Sequence, residues 1–315
     1  MNCENQSTEH EIKQKGLTKI AFRQETVCCS LCGSDNYKQL FAHDGFLVVQ
    51  CLKCNFCYTL NPVLPDDIAN LYDKAYFSMS SENSIECVRG SNPRSERRNK
   101  VVARQLWNIC NKRRSSIGAD RRLLEVGCGT GYFLREARDI GFDVEGVEIS
   151  NQACEYVNRN FGIKVHQGEL VDSKIIFNGN FQVVVMWHVL EHIPRLDAFM
   201  KNVKDLLARN GLVAIEVPNL HSLKWRLSQH KFDGGLHPKF HRYIFSHSTL
   251  KQLLAKHGFR VIYDGGQSMK EFVPFVKEWN GLRSIIYDIC RFISAPLLST
   301  MQAEMPIRVI AVKER

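Results

Sequence analysis

Two groups of residues have types and spacings that could do chemistry. The first lies in "LLEVGCGTGYFLREA", Leu123 to Ala137, where Glu125 is followed by glycines at 127, 129 and 131. An apolar run, a glycine-rich loop and the start of a helical pattern form a junction that commonly cradles a nucleotide. A phosphate-binding P-loop needs Gly-Lys-Ser/Thr, and here Gly131 is followed by Tyr132. A dinucleotide fingerprint needs its third glycine at 132, which is that same tyrosine. The second group is Cys29-x-x-Cys32 followed, after eighteen residues, by Cys51-x-x-Cys54. Four thiolates in two CxxC pairs match the spacing of a zinc ribbon and the soft, tetrahedral preference of Zn2+. Cys28 and Cys57 flank these pairs but fit the register less well.

The elements that must position the loop read as a strict alternation. Strand "RLLEVG" precedes helix "YFLREARDIG", strand "DVEGVEIS" precedes helix "NQACEYVNRNFG", and strand "IKVHQG" follows. Strand "FQVVVMWH", helix "RLDAFMKNVKDLLARNG" and strand "GLVAIEVPN" continue the pattern. Such alternation predicts a parallel sheet built of right-handed crossovers, an α/β fold. After helix "SHSTLKQLLAKHG", the runs "FRVIYDGG" and "PIRVIAVKE" read as two more strands.

The Glu-x-Gly-x-Gly-x-Gly pattern resembles motif I of the class I S-adenosylmethionine-dependent methyltransferases. "GVEIS", "HQGEL", "FQVVVMWHVLEHI" and "LLARNGLVAIEVPN" resemble the later motifs of that family, so the likeness spans residues 121–219. It implies a Rossmann-like, seven-stranded, mostly parallel sheet closed by an antiparallel C-terminal hairpin; the small zinc ribbon read from the cysteine spacing lies ahead of it. It also implies a cofactor, S-adenosyl-L-methionine, held by Glu125, Gly127, Gly129, Gly131, Glu148, Glu169 and His188. In this reading Glu148 accepts the ribose hydroxyls and Glu169 lies near the adenine. Gln182 stands where the family usually has aspartate, at the start of its strand and away from the expected site. The ribbon, "LYDKAYF", "WHVLEHI" and "FSHSTLKQLLAKHGF", in that order, resemble bacterial proteins associated with sugar or small-metabolite modification.

Methyl transfer to a hydroxyl or a carbon acid needs a base, and histidine is suited to that near neutral pH. His188 at the end of the fourth strand and His241 in the segment after the fifth are the candidate catalytic residues; His192 is equally well explained by shaping its loop. His237 and His241 are four apart, but Pro238 between them argues for a loop or helix start, so acceptor contacts are a better reading than a metal pair.

The predicted layout is an unstructured lead at 1–24, the ribbon at 25–60, and a linker with a short helix at 61–93. The methyltransferase domain follows at 94–315, with a cover segment at 220–245 and a helical insertion at 267–303. In that insertion, Leu282 to Ser294 carries an apolar stripe suited to a core or to a homodimer contact. The net charge of +9 favours an anionic partner, and much of it lies in the basic helix from Arg94 to Ser116. A small or carrier-linked acceptor, such as a nucleotide-linked sugar, is the leading expectation. Nucleic acid is the second, drawn from the ribbon and the basic helix, and a non-catalytic cofactor-binding protein is the third. A polar N-terminus without an apolar h-region, no run long enough to span a membrane, and clustered cysteines predict a cytoplasmic protein.

Overall fold

Apolar runs too long to have one wet face dictate the main sheet. Leu123 and Leu124, Val183 to Met186 and Leu212 to Ile215 are all buried on both faces, as expected of strands covered by helices on either side. A computed structural model describes residues 8–12, 20–67, 93–117, 120–171, 177, 179–222, 238–266 and 306–314.

Seven strands form this sheet. They are β6 (Arg122–Val126), β7 (Asp143–Glu148), β8 (Val165–Gln167), β9 (Phe181–Trp187), β10 (Leu207–Val217), β12 (Phe259–Gly266) and β13 (Ile307–Lys313). Their spatial order is β12-β13-β10-β9-β6-β7-β8. The pairs among β8, β7, β6, β9 and β10 are parallel, and β13 lies antiparallel between β10 and β12. The mostly parallel sheet with an antiparallel C-terminal pair therefore stands as expected. Strand order reverses between β6 and β9, which opens a crevice at their carboxyl ends where ligands of such sheets bind.

Helices α1 (Pro93–Lys112), α2 (Arg114–Ile117), α3 (Tyr132–Ile140), α4 (Asn151–Phe161), α5 (Leu196–Leu206) and α6 (His247–Lys256) accompany the strands. Val102, Ala103, Leu106 and Cys110 of α1 share a core with Phe133, Leu134 and Ala137 of α3. α6 starts with a capping box between Ser246 and Thr249, which satisfies amide donors at its first turn.

A second sheet holds the cysteine segment. β3 (Tyr37–His43), β4 (Phe46–Cys51) and β5 (Cys57–Thr59) pair in sequence, and a two-residue strand, β11 (Tyr243–Ile244), completes the order β11-β5-β4-β3. The N-terminal sheet thus borrows its edge from the segment after β10. Phe56 stacks on Tyr243 at 5.5 Å, and the two sheets share one buried cluster that includes Tyr58, Phe245 and Phe199.

Within the expected unstructured lead, β1 (Thr8–Ile12) and β2 (Ile20–Gln24) pair antiparallel. Polar composition hid the anchors of the second strand: Phe22 stacks on Phe46 at 5.8 Å and Arg23 pairs with Asp67 at 2.9 Å. The "LYDKAYF" segment, His237 and the 267–303 insertion with its apolar stripe lie outside the described residues.

Candidate functional site

At the carboxyl end of β6 the chain turns through Gly127, Gly129 and Gly131 into α3. Gly127 has φ +66°, and a Cβ there would lie 2.5 Å from Val189 Cγ2. Gly129, at φ +51°, has no atom of the described residues within 4 Å of where its Cβ would be. Its surroundings are open, as an approach of ligand to backbone requires. Gly131 caps α3 and donates its amide to Cys128 O at 2.9 Å.

Glu148 ends β7 beside this loop. Its Oε2 accepts from the Gly129 amide at 2.8 Å and its Oε1 from the Ser150 amide at 3.0 Å. Each carboxylate oxygen has two lone pairs, so the group is oriented while keeping capacity for a diol. Glu125 is buried on β6, and its Oε2 has no hydrogen-bond partner among the described residues. Burial pushes its carboxyl well above the usual range despite the nearby Arg98. Glu169 lies two residues beyond β8 and is exposed. Gln182, the departure from the family pattern, is buried and accepts the Arg122 amide at 3.0 Å, an edge role between β9 and β6.

Buried charges meet at the ends of β9 and β10. Glu216 on β10 is 1% exposed and faces Arg308, its register partner on β13, with contacts of 2.8 Å to Nε and 2.7 Å to NH2. Arg98 of α1 pairs with the other Glu216 oxygen and lies 5.8 Å from the centre of the Trp187 ring. His188 follows β9 with φ +57°, an uncommon backbone for so large a side chain. Its Nδ1 is 3.3 Å from Glu191 and its Nε2 is 3.4 Å from Glu216. Burial opposes the charged imidazole, but the two carboxylates outweigh it and raise the pKa to about 9. A short 3-10 turn, Leu190–His192, then carries Glu191 and His192. His241 is buried, with its ring 4.8 Å from that of His192. The structure therefore brings His188, Glu191, His192 and His241 together.

Residues 95–264 match the family model described as "Methyltransferase domain". The chain belongs to that family. It is 29% identical over 165 residues to the C-methyltransferase NovU of Streptomyces niveus, covering 50% of this chain and 37% of that protein. It is 26% identical over 104 residues to a ubiquinone biosynthesis O-methyltransferase of Paraburkholderia phymatum, covering 31% and 45% of the two chains. The chain thus spans less than half the length of either relative. In fold it resembles the plantazolicin methyltransferase BamL, solved with a triazolic desmethyl analogue and SAH, at TM-score 0.52 and 15% identity, covering 79% of this chain and 97% of that one.

The cysteine group lies outside the matched methyltransferase domain. Sγ atoms of Cys29 and Cys54 are 3.5 Å apart, as are those of Cys32 and Cys51. All four thiols lie within 4.8 Å of one another. Equivalent turns present them, with Gly33 N bonded to Cys29 O at 2.7 Å and Asn55 N to Cys51 O at 3.0 Å. Zn–S bonds of about 2.3 Å place tetrahedral sulfurs about 3.8 Å apart, close to the observed spacing.

Arg98, Glu191, Glu216 and Arg308 escaped the sequence reading. Two had a signal: Glu216 in "LVAIEVPN" and Arg308 in "PIRVIAV" are lone, opposite charges inside apolar runs. Arg98 was hidden among the basic residues of the Arg94–Ser116 helix, taken together as a charge for an anionic partner, and Glu191 beside the more conspicuous His192.

Proposed function

We propose that this protein binds S-adenosylmethionine over the 127–131 loop and directs methyl transfer to a small or carrier-linked metabolite, a nucleotide-linked sugar being the favoured acceptor class. The observation that carries the reading is Glu148. Two backbone amides hold its carboxylate at the end of β7, beside the open side of Gly129. A ribose diol would complete its hydrogen bonding. The names of the C- and O-methyltransferase relatives favour a metabolite over nucleic acid as acceptor.

When bound, the cofactor supplies an electrophilic methyl group on a sulfonium. The chain's own task is to position and desolvate. Glu148 holds the ribose, the loop backbone admits the amino-acid tail, and Glu125 stands beneath it. Glu169, beyond β8, serves the adenine side. His188 lies at the acceptor side; because both its ring nitrogens face carboxylates, it serves as a fixed positive charge there rather than as the base that takes the acceptor's proton. Cys29, Cys32, Cys51 and Cys54 hold a structural zinc whose sheet carries β11.

Calorimetry tests the cofactor site. Glu148→Ala should lose about 1–3 kcal/mol of S-adenosylmethionine binding, roughly 5- to 150-fold in affinity. Unchanged affinity would place the ribose elsewhere. Labelled methyl donor offered to metabolite and RNA pools tests the acceptor, and label in RNA alone would overturn the metabolite reading.

A further inference from the structure

We propose that Glu191, His192 and His241 form a binding site for one first-row divalent cation, separate from the four-thiol site. The three residues each bring one ligand atom within 4.8 Å of the others. They come from two segments about fifty residues apart that are tied by backbone, the Arg242 amide bonding to Glu191 O at 2.8 Å.

His192 is oriented as a ligand. Its Nδ1 is 2.8 Å from Phe240 O, so in the neutral ring this nitrogen must donate and Nε2 keeps its lone pair. That arrangement, one ring nitrogen fixed by a backbone carbonyl, is how metal-binding histidines are usually held. Nε2 lies 3.8 Å from Glu191 Oε1. His241 completes the group, its ring 4.8 Å from that of His192, and its own carbonyl is anchored by the Thr59 hydroxyl at 2.9 Å.

Glu191 supplies the independent reason for a ligand. Its side chain is 1% exposed, and among the described residues neither carboxylate oxygen has a hydrogen bond. Oε1 has ion-pair contacts to His188 at 3.3 Å and His192 at 3.8 Å. His188 faces Oε1, so Oε2 is buried with no partner among the described residues; a buried oxygen left so is costly, and a bound cation answers it directly. The ligand atoms need to close to about 3–3.5 Å for metal bonds of about 2.0–2.2 Å, an adjustment within reach of side-chain rotation.

Two imidazoles and one carboxylate suit Mn2+, Fe2+, Co2+, Ni2+ or Zn2+ better than the oxygen-seeking Ca2+ or Mg2+, and better than the soft ions that thiolates select. Three protein ligands leave coordination positions for water or for an acceptor oxygen. The site reassigns His241 from candidate base to ligand, and it stands whether or not the methyl-transfer reading does.

Mn2+ is the probe, because the zinc-filled thiol site does not compete for it. Full-length, zinc-replete protein should bind one Mn2+ per chain, followed by loss of the free-ion electron paramagnetic resonance signal. Pulsed spectra of the bound ion should show imidazole nitrogen coupling. His241→Ala and Glu191→Ala should each weaken binding at least tenfold while retaining one zinc per chain. A wild-type protein that takes up no Mn2+, or bound Mn2+ without nitrogen coupling, overturns the proposal. So does undiminished binding by a folded His241→Ala variant. Should a variant not fold, the wild-type stoichiometry and nitrogen coupling decide.

Discussion

The two ends of the crevice are built from different materials. On the β6–β7 side the polar groups are backbone amides on a glycine loop with one carboxylate, Glu148, held by two of them. On the β9–β10 side they are charged side chains: the buried Glu216 and Arg308 with the half-buried Arg98 in one cluster, and His188 linking it to the buried Glu191. Backbone donors come with the local fold and need little support. Buried charges are sustained only by partners from other elements, so the second side depends on α1, β13, the 3-10 turn and β11. The first side should tolerate damage elsewhere, and the second should not.

The cysteine sheet offers the most severe test of that difference. β5 pairs with β11, and the Thr59 amide bonds to Arg242 O at 2.9 Å, one residue from His241. Structural zinc sites contribute on the order of 10 kcal/mol to the folding of their domains. Cys51→Ser/Cys54→Ser should therefore remove one zinc per chain by elemental analysis, and with it the order of the N-terminal sheet. Turnover should fall with the loss of β11's partner, while S-adenosylmethionine affinity stays near wild type because the glycine loop has no part in that sheet. Retention of a full zinc equivalent would discard the ligand assignment, and equal loss of cofactor binding would discard the asymmetry.

Glu216→Gln attacks the charged side at its centre. It leaves Arg308, 2% exposed, without its counter-charge. Breaking a buried pair from one side costs about 3–5 kcal/mol, to be read from the urea unfolding midpoint. Replacing Glu216 and Arg308 together by leucine should cost less, since the groups then left without this carboxylate, Arg98 and His188, are both partly exposed and can find solvent. If the double variant is as unstable as the single, packing rather than charge sustains this cluster.

The same difference explains which parts were legible in the sequence. Alternating apolar runs announced the parallel sheet because each strand's burial is written in its own residues. The glycine loop and the paired cysteines were legible because their chemistry is local: neighbours in sequence are neighbours in space. His188 was picked out by its position at a strand end; of the carboxylates that hold it, Glu191 is three residues on but Glu216 lies on β10. Arg98 sits 118 residues from Glu216, so nothing near either residue names the other. β11 is two residues long and is a strand only because β5 lies beside it. Neither its pairing nor the His192–His241 contact follows from a local pattern.

Gly127→Ala tests the backbone-built side. The positive φ costs a non-glycine residue about 1–2 kcal/mol, and Val189 must also move away from the new methyl group. A total of about 1–3 kcal/mol is expected, with weaker cofactor binding because the loop shifts. Gly129→Ala carries the backbone cost but meets no atom of the described residues, so it should lose less stability while still obstructing the ligand. Equal stability losses would mean that contact with Val189 is immaterial.

Glu145 asks whether charge matters away from the crevice. It lies on β7 with Arg122 at 2.9 Å, His166 at 3.0 Å and Lys164 at 3.2 Å, and its side chain is 16% exposed, unlike Glu216 at 1%. Burial alone would raise its pKa, but hydrogen bonds from His166, Arg122 and Lys164 lower it from 4.5 to about 2. The folded-state value is depressed, so the stabilisation is present above about pH 4.5 and fades as pH falls toward about 2. Solvent screening, greatest at Lys164, which is 68% exposed, reduces its worth to about 1 kcal/mol. Glu145→Gln should cost that amount at pH 7 and progressively less on acidification, measured by urea unfolding at several pH values. A cost that does not shrink with acid would show that Gln fails through its shape. A cost near that of Glu216→Gln would show that burial is not what separates the two carboxylates.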